Sequence, residues 1–284
     1  MGSPVPDCDA VKIQGSDTAM IDFKARYGPV ALITGASSGI GKAFAETLAA
    51  KGLDLVLVAR RLDRLDELAV RLAAEHSIKA HTLRIDLALP DAPQRMLDDT
   101  VAMDVGLVVS NAGFSLKGDH AGNPPAVMAE MLMVNCHAPL QLTRGFIPRL
   151  RQRGRGGIIL TSSVEGLMGC PYSAAYAATK ALVKSLGEGL WGELQPDGID
   201  VLTLCPGATE SEAAAKSGID LTKLQNVMKA EDVVALTLDN IRNGPTFISS
   251  EHYQALFDRL LALPRRDALK AMAEGMRKSG GQAG

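Results

Sequence analysis

Tyr176 and Lys180 stand four residues apart, and Ser163 precedes Tyr176 by thirteen. On a helix, residues four apart share a face, so the phenol would lie beside the ammonium. An ammonium there favours the phenolate and lowers the phenol's pKa, so the tyrosine could act as an acid or a base. A Tyr-x-x-x-Lys pair alone is more often a surface pair. Ser163 closes an apolar run and could bring a hydroxyl to the same place.

A glycine-rich turn follows the first apolar run. Its glycines do not have the G-x-G-x-x-G spacing, and Ala43 stands where a nucleoside-triphosphate loop needs a hydroxyl, which argues against phosphoryl transfer. Gly35 and Gly39 allow backbone conformations closed to other residues, and Gly41 lets a helix begin close to the sheet. The exposed N–H groups would suit a pyrophosphate. The alternative is a plain strand–helix turn.

Apolar strands alternate with amphipathic helices from residue 29 to about 207, without a linker. The chain therefore predicts an α/β fold: a single doubly wound, Rossmann-like domain with a mostly parallel sheet of about seven strands. Ligands of such sheets bind at the carboxyl ends of the strands. The predicted strands are 30–34, 53–60, 78–87, 105–113, 156–163, 199–207 and 244–249, and the predicted helices are 41–52, 62–76, 92–102, 124–152, 174–194 and 251–278.

Three segments are predicted. Residues 1–28 are polar and aperiodic and indicate a flexible N-terminal arm. Residues 29–250 form the Rossmann-type domain, including a mobile lid at 208–230. Residues 251–284 form a helical C-terminal extension and tail, whose basic helix could extend an interface or cap the active site.

The composition excludes several classes of function. A formal net charge of -2 and a pI near 6.2 give no basic surface for nucleic acid or an anionic membrane. No apolar run is long enough to span a membrane, and the N-terminus does not read as a signal peptide. The four cysteines form no C-x-x-C pair, so we expect neither a disulfide framework nor a metal site. These features predict a cytoplasmic protein.

In these motifs the chain resembles the short-chain dehydrogenase/reductase family of nicotinamide-dependent oxidoreductases, over residues 29 to about 210. Ser110 replaces the first asparagine of the family's common N-N-A-G. The thirteen-residue step selects Ser163 over Ser162, and Tyr176 over Tyr172. The matching residues are Thr34-Gly35-Ala36-Ser37-Ser38-Gly39-Ile40-Gly41, Asp86-Leu87, Asn111-Ala112-Gly113, Asn135, Ser163, Tyr176 to Lys180, and Pro206-Gly207.

The resemblance implies catalytic roles. Tyr176 would exchange the proton of the substrate oxygen while a hydride moves to or from the nicotinamide. Ser163 would steady that oxygen, and Lys180 would hold the nicotinamide ribose and depress the pKa of Tyr176. Asn135 would anchor a water that links Lys180 to solvent. The scheme contains no metal.

The resemblance also implies the cofactor contacts. The turn formed by Gly35, Ser37, Ser38, Gly39, Ile40 and Gly41 would hold the pyrophosphate. Asp86, with Leu87 beside it, would bind the adenine amine. Asn111, Ala112 and Gly113 would pack by the adenosine ribose, and Pro206 and Gly207 by the nicotinamide. Thr209 or Ser211 would contact the carboxamide.

The end of the second strand predicts which dinucleotide binds. Ala59 stands where NAD-preferring enzymes carry a carboxylate, and Arg60 and Arg61 follow it. A guanidinium can hold a 2′-phosphate through charge-assisted bonds, and Ser37 can add a hydroxyl. We therefore predict NADP(H), with Arg60 as the first choice. The alternative is that both arginines are solvated.

Together these features predict an NADP(H)-dependent oxidoreductase that interconverts a carbonyl and an alcohol. The alternative is a weakly active or inactive NADP(H)-binding regulator or scaffold of the same fold. Apolar residues in the pocket segments 114–123, 164–175 and 208–230 favour an apolar substrate. Glu165, two residues after Ser163, could border the pocket, but we interpret it as a solvated acid at a strand exit. The resemblance also implies a homodimer or homotetramer, paired through the helices at 124–152 and 174–194.

Overall fold

A computed structural model describes residues 22–210, 212, 224 and 226–278. Seven strands are present: β1 Val30–Thr34, β2 Asp54–Ala59, β3 Ala80–Arg84, β4 Val105–Ser110, β5 Gly156–Thr161, β6 Ile199–Leu204 and β7 Thr246–Phe247. The helices are α1 Phe23–Tyr27, α2 Gly39–Ala50, α3 Leu62–His76, α4 Ala92–Asp99, α5 Pro125–Leu132, α6 Ala138–Arg153, α7 Ala174–Leu194, α8 Ala230–Asp239, α9 Glu251–Ala262 and α10 Arg265–Lys278.

The strands form one sheet in the order β3-β2-β1-β4-β5-β6-β7, and every neighbouring pair is parallel. The prediction of a doubly wound α/β fold is confirmed. The strand order reverses between β1 and β4, and in such sheets the crevice at this reversal is where ligands bind. The glycine-rich turn after β1 and the Asn111–Gly113 segment after β4 therefore flank the expected binding crevice.

Both faces of the sheet are covered, which explains the continuous apolar character of the central strands. All residues of β4 and β5 are buried. Phe44 of α2 packs against one face, and Phe146 of α6 packs against the other, each with no exposed surface. This two-sided core fixes the strand ends that carry the candidate site.

The N-terminal arm that we predicted over 1–28 differs from the structure in its last residues. Helix α1 packs on the sheet, with Tyr27 fully buried. Its hydroxyl donates to Asp200 Oδ2 at 2.7 Å, and Arg26 Nε donates to the same oxygen at 2.5 Å. Asp200 lies far along the sequence, so this anchor leaves no local signal. Residues 1–21 lie outside the described residues.

Two predicted helices are interrupted. The helix expected over 124–152 consists of α5, a π-helical turn at Met133–His137, and α6. The helix expected over 251–278 is broken at Leu263 and Pro264, because a residue before proline is driven into the extended backbone region. The predicted lid at 208–230 lies for the most part outside the described residues. Within the part of the chain that is described, no helix is long and apolar enough to cross a bilayer.

Candidate active site

Ser163 and Tyr176 meet at the carboxyl edge of β5. Ser163 follows the strand by two residues and caps a short 3-10 helix, where its Oγ accepts from the Glu165 N–H at 3.2 Å. Tyr176 lies in the first turn of α7, and its phenol is hydrogen-bonded to the Ser163 side chain. The sequence prediction that these two hydroxyls lie together agrees with this geometry.

Lys180 lies one turn further along α7 and is only 4% exposed. Its Nζ donates to the Thr161 carbonyl at 2.8 Å and lies 5.8 Å from the centroid of the Tyr176 ring. Burial lowers the pKa of Lys180 to about 8, since no carboxylate of the described residues compensates for its desolvation. The side chain is thus fixed to the end of β5, and its ammonium can release a proton near pH 8.

The phenol of Tyr176 does not have the depressed pKa that we expected from Lys180. Burial, and after it the negative charge of Glu165, raise the pKa of Tyr176 above its ordinary value, while the bond to Ser163 opposes the rise. Desolvation penalises the phenolate because the ring lies against the protein interior. In this structure the phenol is therefore held protonated, as a proton donor must be.

Asn135 occupies the π-helical turn between α5 and α6 and is 1% exposed. Its amide donates to the Phe114 carbonyl at 2.9 Å and to Thr179 Oγ1 at 3.1 Å, and its Oδ1 accepts from the Phe114 N–H at 3.1 Å. The asparagine thus connects the loop segment that follows Gly113 to helix α7. π-helical turns inside helices are frequent at functional sites.

Gly113 lies directly above this group. A Cβ atom at this position would come within 3.0 Å of Asn135 Oδ1 and 3.2 Å of Lys180 Nζ. A side chain at this position would crowd both atoms, so glycine suits the close approach of the loop after β4. Four residues that span 45 positions of the sequence therefore converge at one place on the sheet edge: Asn135, Ser163, Tyr176 and Lys180.

The glycine-rich turn has the geometry of an anion cradle. Gly35 and Gly39 have φ values of +71° and +54°, and a Cβ at Gly41 would lie 2.2 Å from the Gly35 carbonyl oxygen. The first turn of α2 contains no acidic residue, and the Ser38 side chain does not cap the helix. The N-terminal N–H groups of α2 are therefore left to an anion from outside the helix.

The candidate adenosine contacts are fixed by bonds between strand ends. Thr34 Oγ1 accepts from the N–H groups of Asn111 and Ala112, both at 3.0 Å, and the Asn111 amide donates to the Thr34 carbonyl at 3.2 Å. Asp86 lies after β3, where its Oδ1 accepts from the Ala88 N–H at 3.1 Å, and Leu87 is buried beside it. These segments lie at the carboxyl ends of β4 and β3.

The two arginines after β2 take different directions. Arg61 donates to Ser37 Oγ, from Nε at 3.3 Å and from Nη2 at 2.9 Å, and to Ser38 Oγ at 3.0 Å. Arg60 extends to Glu130 at 3.1 Å, with 63% of its side chain exposed. The structure therefore places Arg61, rather than our first choice Arg60, against the glycine-rich turn.

A carboxylate that sequence reasoning missed lies on the same arginine. Glu212 Oε2 accepts from Arg61 Nη1 at 2.7 Å, and its Oε1 accepts from Arg64. These two hydrogen bonds lower the pKa of Glu212 to about 2. An anionic group thus already occupies the outer end of the Arg61 guanidinium, which shows that this position attracts negative charge. Ser211, beside it, lies outside the described residues.

The opposite wall of the site is built by the C-terminal helices. A Cβ at Gly207 would lie 2.2 Å from the Tyr253 ring of α9, so the ring packs directly on the segment after β6. Thr209 is 9% exposed, and its Oγ1 donates to the Gly207 carbonyl at 3.2 Å. Val164 and Met168 form one apolar cluster with residues of both helices, namely Phe257, Leu260 and Ala268. Helices α9 and α10 therefore cover the loop after β5.

Glu165 is not the solvated acid that we expected. Its Oε1 accepts from Lys117 Nζ at 2.5 Å, and its side chain is 21% exposed. Lys117 was missed, although it belongs to a segment that we expected to line the pocket. Its Nζ lies 5.2 Å from the centroid of the Tyr176 ring. Among the described residues, no group of three or more His, Cys, Asp or Glu side chains could hold a metal ion.

The chain is similar to known proteins over most of its length. A 7beta-hydroxysteroid dehydrogenase of Clostridium sardiniense is 29% identical over 89% of this chain and 98% of its own. A short-chain dehydrogenase from Sphingobium yanoikuyae, solved in complex with NADPH, is 35% identical with a TM-score of 0.77, over 86% of this chain and 96% of its own. The bulky-bulky ketone specific alcohol dehydrogenase from Comamonas testosteroni is 32% identical with a TM-score of 0.72, over 86% of this chain and 94% of its own.

The family model described as short chain dehydrogenase matches residues 29–221, which is more than half of the chain. That match includes the glycine-rich turn, the Asn111–Gly113 segment, Ser163, Tyr176 and Lys180. The protein therefore belongs to the short-chain dehydrogenase family of oxidoreductases.

Proposed function

We propose that the protein is an NADP(H)-dependent oxidoreductase that interconverts a carbonyl and an alcohol, with Tyr176 as its acid and base. The observation that carries this proposal is the convergence of Ser163, Tyr176, Lys180 and Asn135 at the same sheet edge as the glycine-rich turn. A relative of 35% identity and similar fold is known in complex with NADPH.

The residues present fit the dinucleotide. The Gly35–Gly41 turn, which a Cβ at Gly41 would fill, would hold the pyrophosphate. Arg61 and Ser37 would hold the 2′-phosphate through charge-assisted hydrogen bonds. The remaining contacts are those expected from the sequence: Ser38, Gly39, Ile40, Asp86, Leu87, Asn111, Ala112, Gly113, Pro206, Gly207 and Thr209. When bound, the cofactor supplies or takes up the hydride.

Residues of this chain would transfer the proton to and from the substrate oxygen. In the direction of reduction, the Tyr176 phenol gives its proton to the carbonyl oxygen as that oxygen gains charge, and in oxidation it takes the proton back. Ser163 holds the same oxygen by a hydrogen bond. Lys180 is favoured in its protonated form when the anionic cofactor binds and when Tyr176 has lost its proton. The protonated Lys180 then returns a proton to the phenol. Asn135, fixed to Phe114 and Thr179, would hold a water that connects Lys180 with solvent.

The apolar character of the loop after β5 and of helix α9, which we expect to border the substrate, supports a ketone with an apolar skeleton. Met168, Phe257 and Leu260 form one cluster, and Tyr253 covers Gly207. The Comamonas testosteroni relative is specific for bulky-bulky ketones, and the Clostridium sardiniense relative is a hydroxysteroid dehydrogenase. In this proposal residues 29–250 form the catalytic unit, and the C-terminal helices complete its substrate side.

A second copy of the chain would cover the outer face of α6 and α7. Leu140 and Leu182 are exposed there by 39% and 37%, and a Cβ at Gly189 would meet no atom within 4 Å. Exposed leucines next to an open glycine suit a closely approaching helix pair. We therefore propose a homodimer or homotetramer built on this face.

The experiment that tests the proposed function is NADPH oxidation by the purified protein over a panel of ketones with apolar skeletons. Turnover of at least one ketone, and its loss in Ser163→Ala, is the expected result. Binding of NADPH without turnover of any ketone would contradict the proposal and would favour a cofactor-binding regulator or scaffold.

A further inference from the structure

Lys117 and Glu165 form a half-buried ion pair above the Tyr176 ring. Lys117 Nζ lies 2.5 Å from Glu165 Oε1, and the two side chains are 15% and 21% exposed. The same Nζ lies 3.0 Å from Ser173 Oγ and 5.2 Å from the centroid of the Tyr176 ring. The pair therefore touches the phenol that we propose as the acid, without belonging to the four converging residues.

The donors of this pair are already used. A lysine ammonium has three N–H groups. One N–H donates to Glu165 and one to Ser173. The third side of the ammonium lies over the face of the Tyr176 ring, in a cation–π contact. Lys117 therefore offers no donor to a ligand, and its role is to position the carboxylate.

The acceptors of this pair are not all used. Glu165 Oε2 is buried and has no hydrogen-bond partner within the described residues. A buried carboxylate oxygen without a donor is destabilising, because it has lost its water and gained no hydrogen bond in exchange. The side chain as a whole is 21% exposed, and the last torsion of a glutamate has a broad range, so a rotation can bring this oxygen to the exposed side of the carboxylate.

The surroundings show where this acceptor lies. The charge of Glu165 acts on Tyr176, Cys170 and Tyr253, which belong to the Tyr176 helix, the loop after β5 and helix α9. The loop after β5 also carries Met168, which packs with Phe257 of α9 in a buried apolar cluster. The acceptor therefore lies close to the reacting centre, beside Tyr253 at the edge of an apolar cluster.

The charges of Lys117 and Glu165 indicate which kind of group could donate to Glu165 Oε2. A cationic donor would be repelled by the Lys117 ammonium beside the carboxylate, whereas a neutral hydroxyl would not. We propose that Glu165 is a specificity residue, and that it accepts a hydrogen bond from a hydroxyl group carried by the substrate at a second position on an apolar carbon skeleton. This inference rests on the proposed function and names the substrate class of that same site: hydroxyketones and the corresponding diols.

The test compares two ketones with the same apolar skeleton, one with and one without an additional hydroxyl group, in the full-length protein with NADPH. Sites built to bond a substrate hydroxyl discriminate strongly against analogues that lack it. For one hydrogen bond to a charged group we expect the wild type to favour the hydroxyketone in kcat/KM by about 10- to 100-fold. Glu165→Ala should abolish this preference.

Further variants separate recognition from stability. Glu165→Gln keeps an acceptor oxygen and should retain part of the preference. Lys117→Met frees the carboxylate from its position and should reduce the preference. Asp239→Asn, a change of an exposed acid on α8, is the matched control and should leave the preference intact.

The possible failures can be told apart. Equal turnover of both ketones by the wild type, or an equal loss on both in Glu165→Ala and Glu165→Gln, would overturn this inference and leave the proposed function intact. If the wild type turned over neither ketone, nor any other ketone of the panel, the proposed function would fail and this inference with it.

Discussion

Arg61 donates two hydrogen bonds to the Ser37 hydroxyl, from Nη2 at 2.9 Å and from Nε at 3.3 Å. These bonds connect the end of β2 to the glycine-rich turn. The neighbouring Arg60 turns away to Glu130 and is largely exposed. Two adjacent arginines thus have different environments. Only Arg61 is placed where a 2′-phosphate beside the turn could receive its guanidinium.

We predict that Arg61→Ala lowers the ratio of kcat/KM for NADPH over NADH by about 10- to 100-fold, because a hydrogen bond to a charged group contributes about 1.5–3 kcal/mol. Arg60→Ala is the matched control and should change the ratio by no more than about twofold, as expected for an exposed pair. Steady-state kinetics with both cofactors measure the ratio. A large effect of Arg60→Ala with none of Arg61→Ala would restore our first choice from the sequence.

Glu212 occupies the outer end of the Arg61 guanidinium and competes with a phosphate for it. We predict that Glu212→Gln tightens NADPH binding several-fold and leaves NADH binding unchanged, since NADH has no 2′-phosphate. Calorimetric titration with both cofactors measures this, and Glu210→Gln, two residues away, is the control. If Glu212→Gln weakened NADPH binding, Glu212 would be part of the cofactor site rather than its competitor.

Lys180 makes stability depend on pH because burial lowers its pKa to about 8 from the ordinary 10.5. Between these values the folded chain releases the proton and the unfolded chain keeps it. The unfolded state then binds more protons, so the contribution of Lys180 to the free energy of unfolding rises as the pH increases through this window.

The measurement is urea denaturation of the wild type and Lys180→Met at several pH values across the window. We expect the difference in free energy of unfolding to shift in favour of the wild type as the pH rises. Lys42→Met, a change of a half-exposed lysine on α2, should show no such shift. Parallel curves for the wild type and Lys180→Met would mean that the ammonium is not desolvated as the structure indicates.

Leu182 lies on the exposed face of α6 and α7 that we propose to bind a second copy. We predict that Leu182→Glu lowers the molar mass measured by light scattering to that of the monomer, because it places a charge in a desolvated apolar contact. Leu236→Glu, at a leucine of α8 with a similar exposure of 39%, should leave the assembly intact. A wild type that is already monomeric would refute the proposed interface.

Much of the fold could be predicted from the sequence, because the residues that encode it are close together in the chain. Helices α3 and α7 begin and end where their patterns predict. The spacing of Ser163, Tyr176 and Lys180 also indicated which hydroxyls meet. The break between α9 and α10 carries a local signal in Pro264, which we did not use.

Other features depend on contacts that no local pattern shows. The anchoring of α1 depends on Asp200, more than 170 positions from Arg26 and Tyr27. The choice between Arg60 and Arg61 depends on the direction in which the chain leaves β2, and the pKa of Tyr176 depends on burial and on Glu165. Such properties arise only when distant segments pack together.

The most direct test of the central claim is the turnover of Tyr176→Phe. Loss of a positioned proton donor should reduce kcat by about 10²- to 10⁴-fold, while NADPH still binds. Tyr172→Phe, four residues earlier on the same segment, should remain active and serves as the control. Near-normal ketone reduction by Tyr176→Phe, with intact folding, would contradict the assignment of Tyr176 as the acid and base.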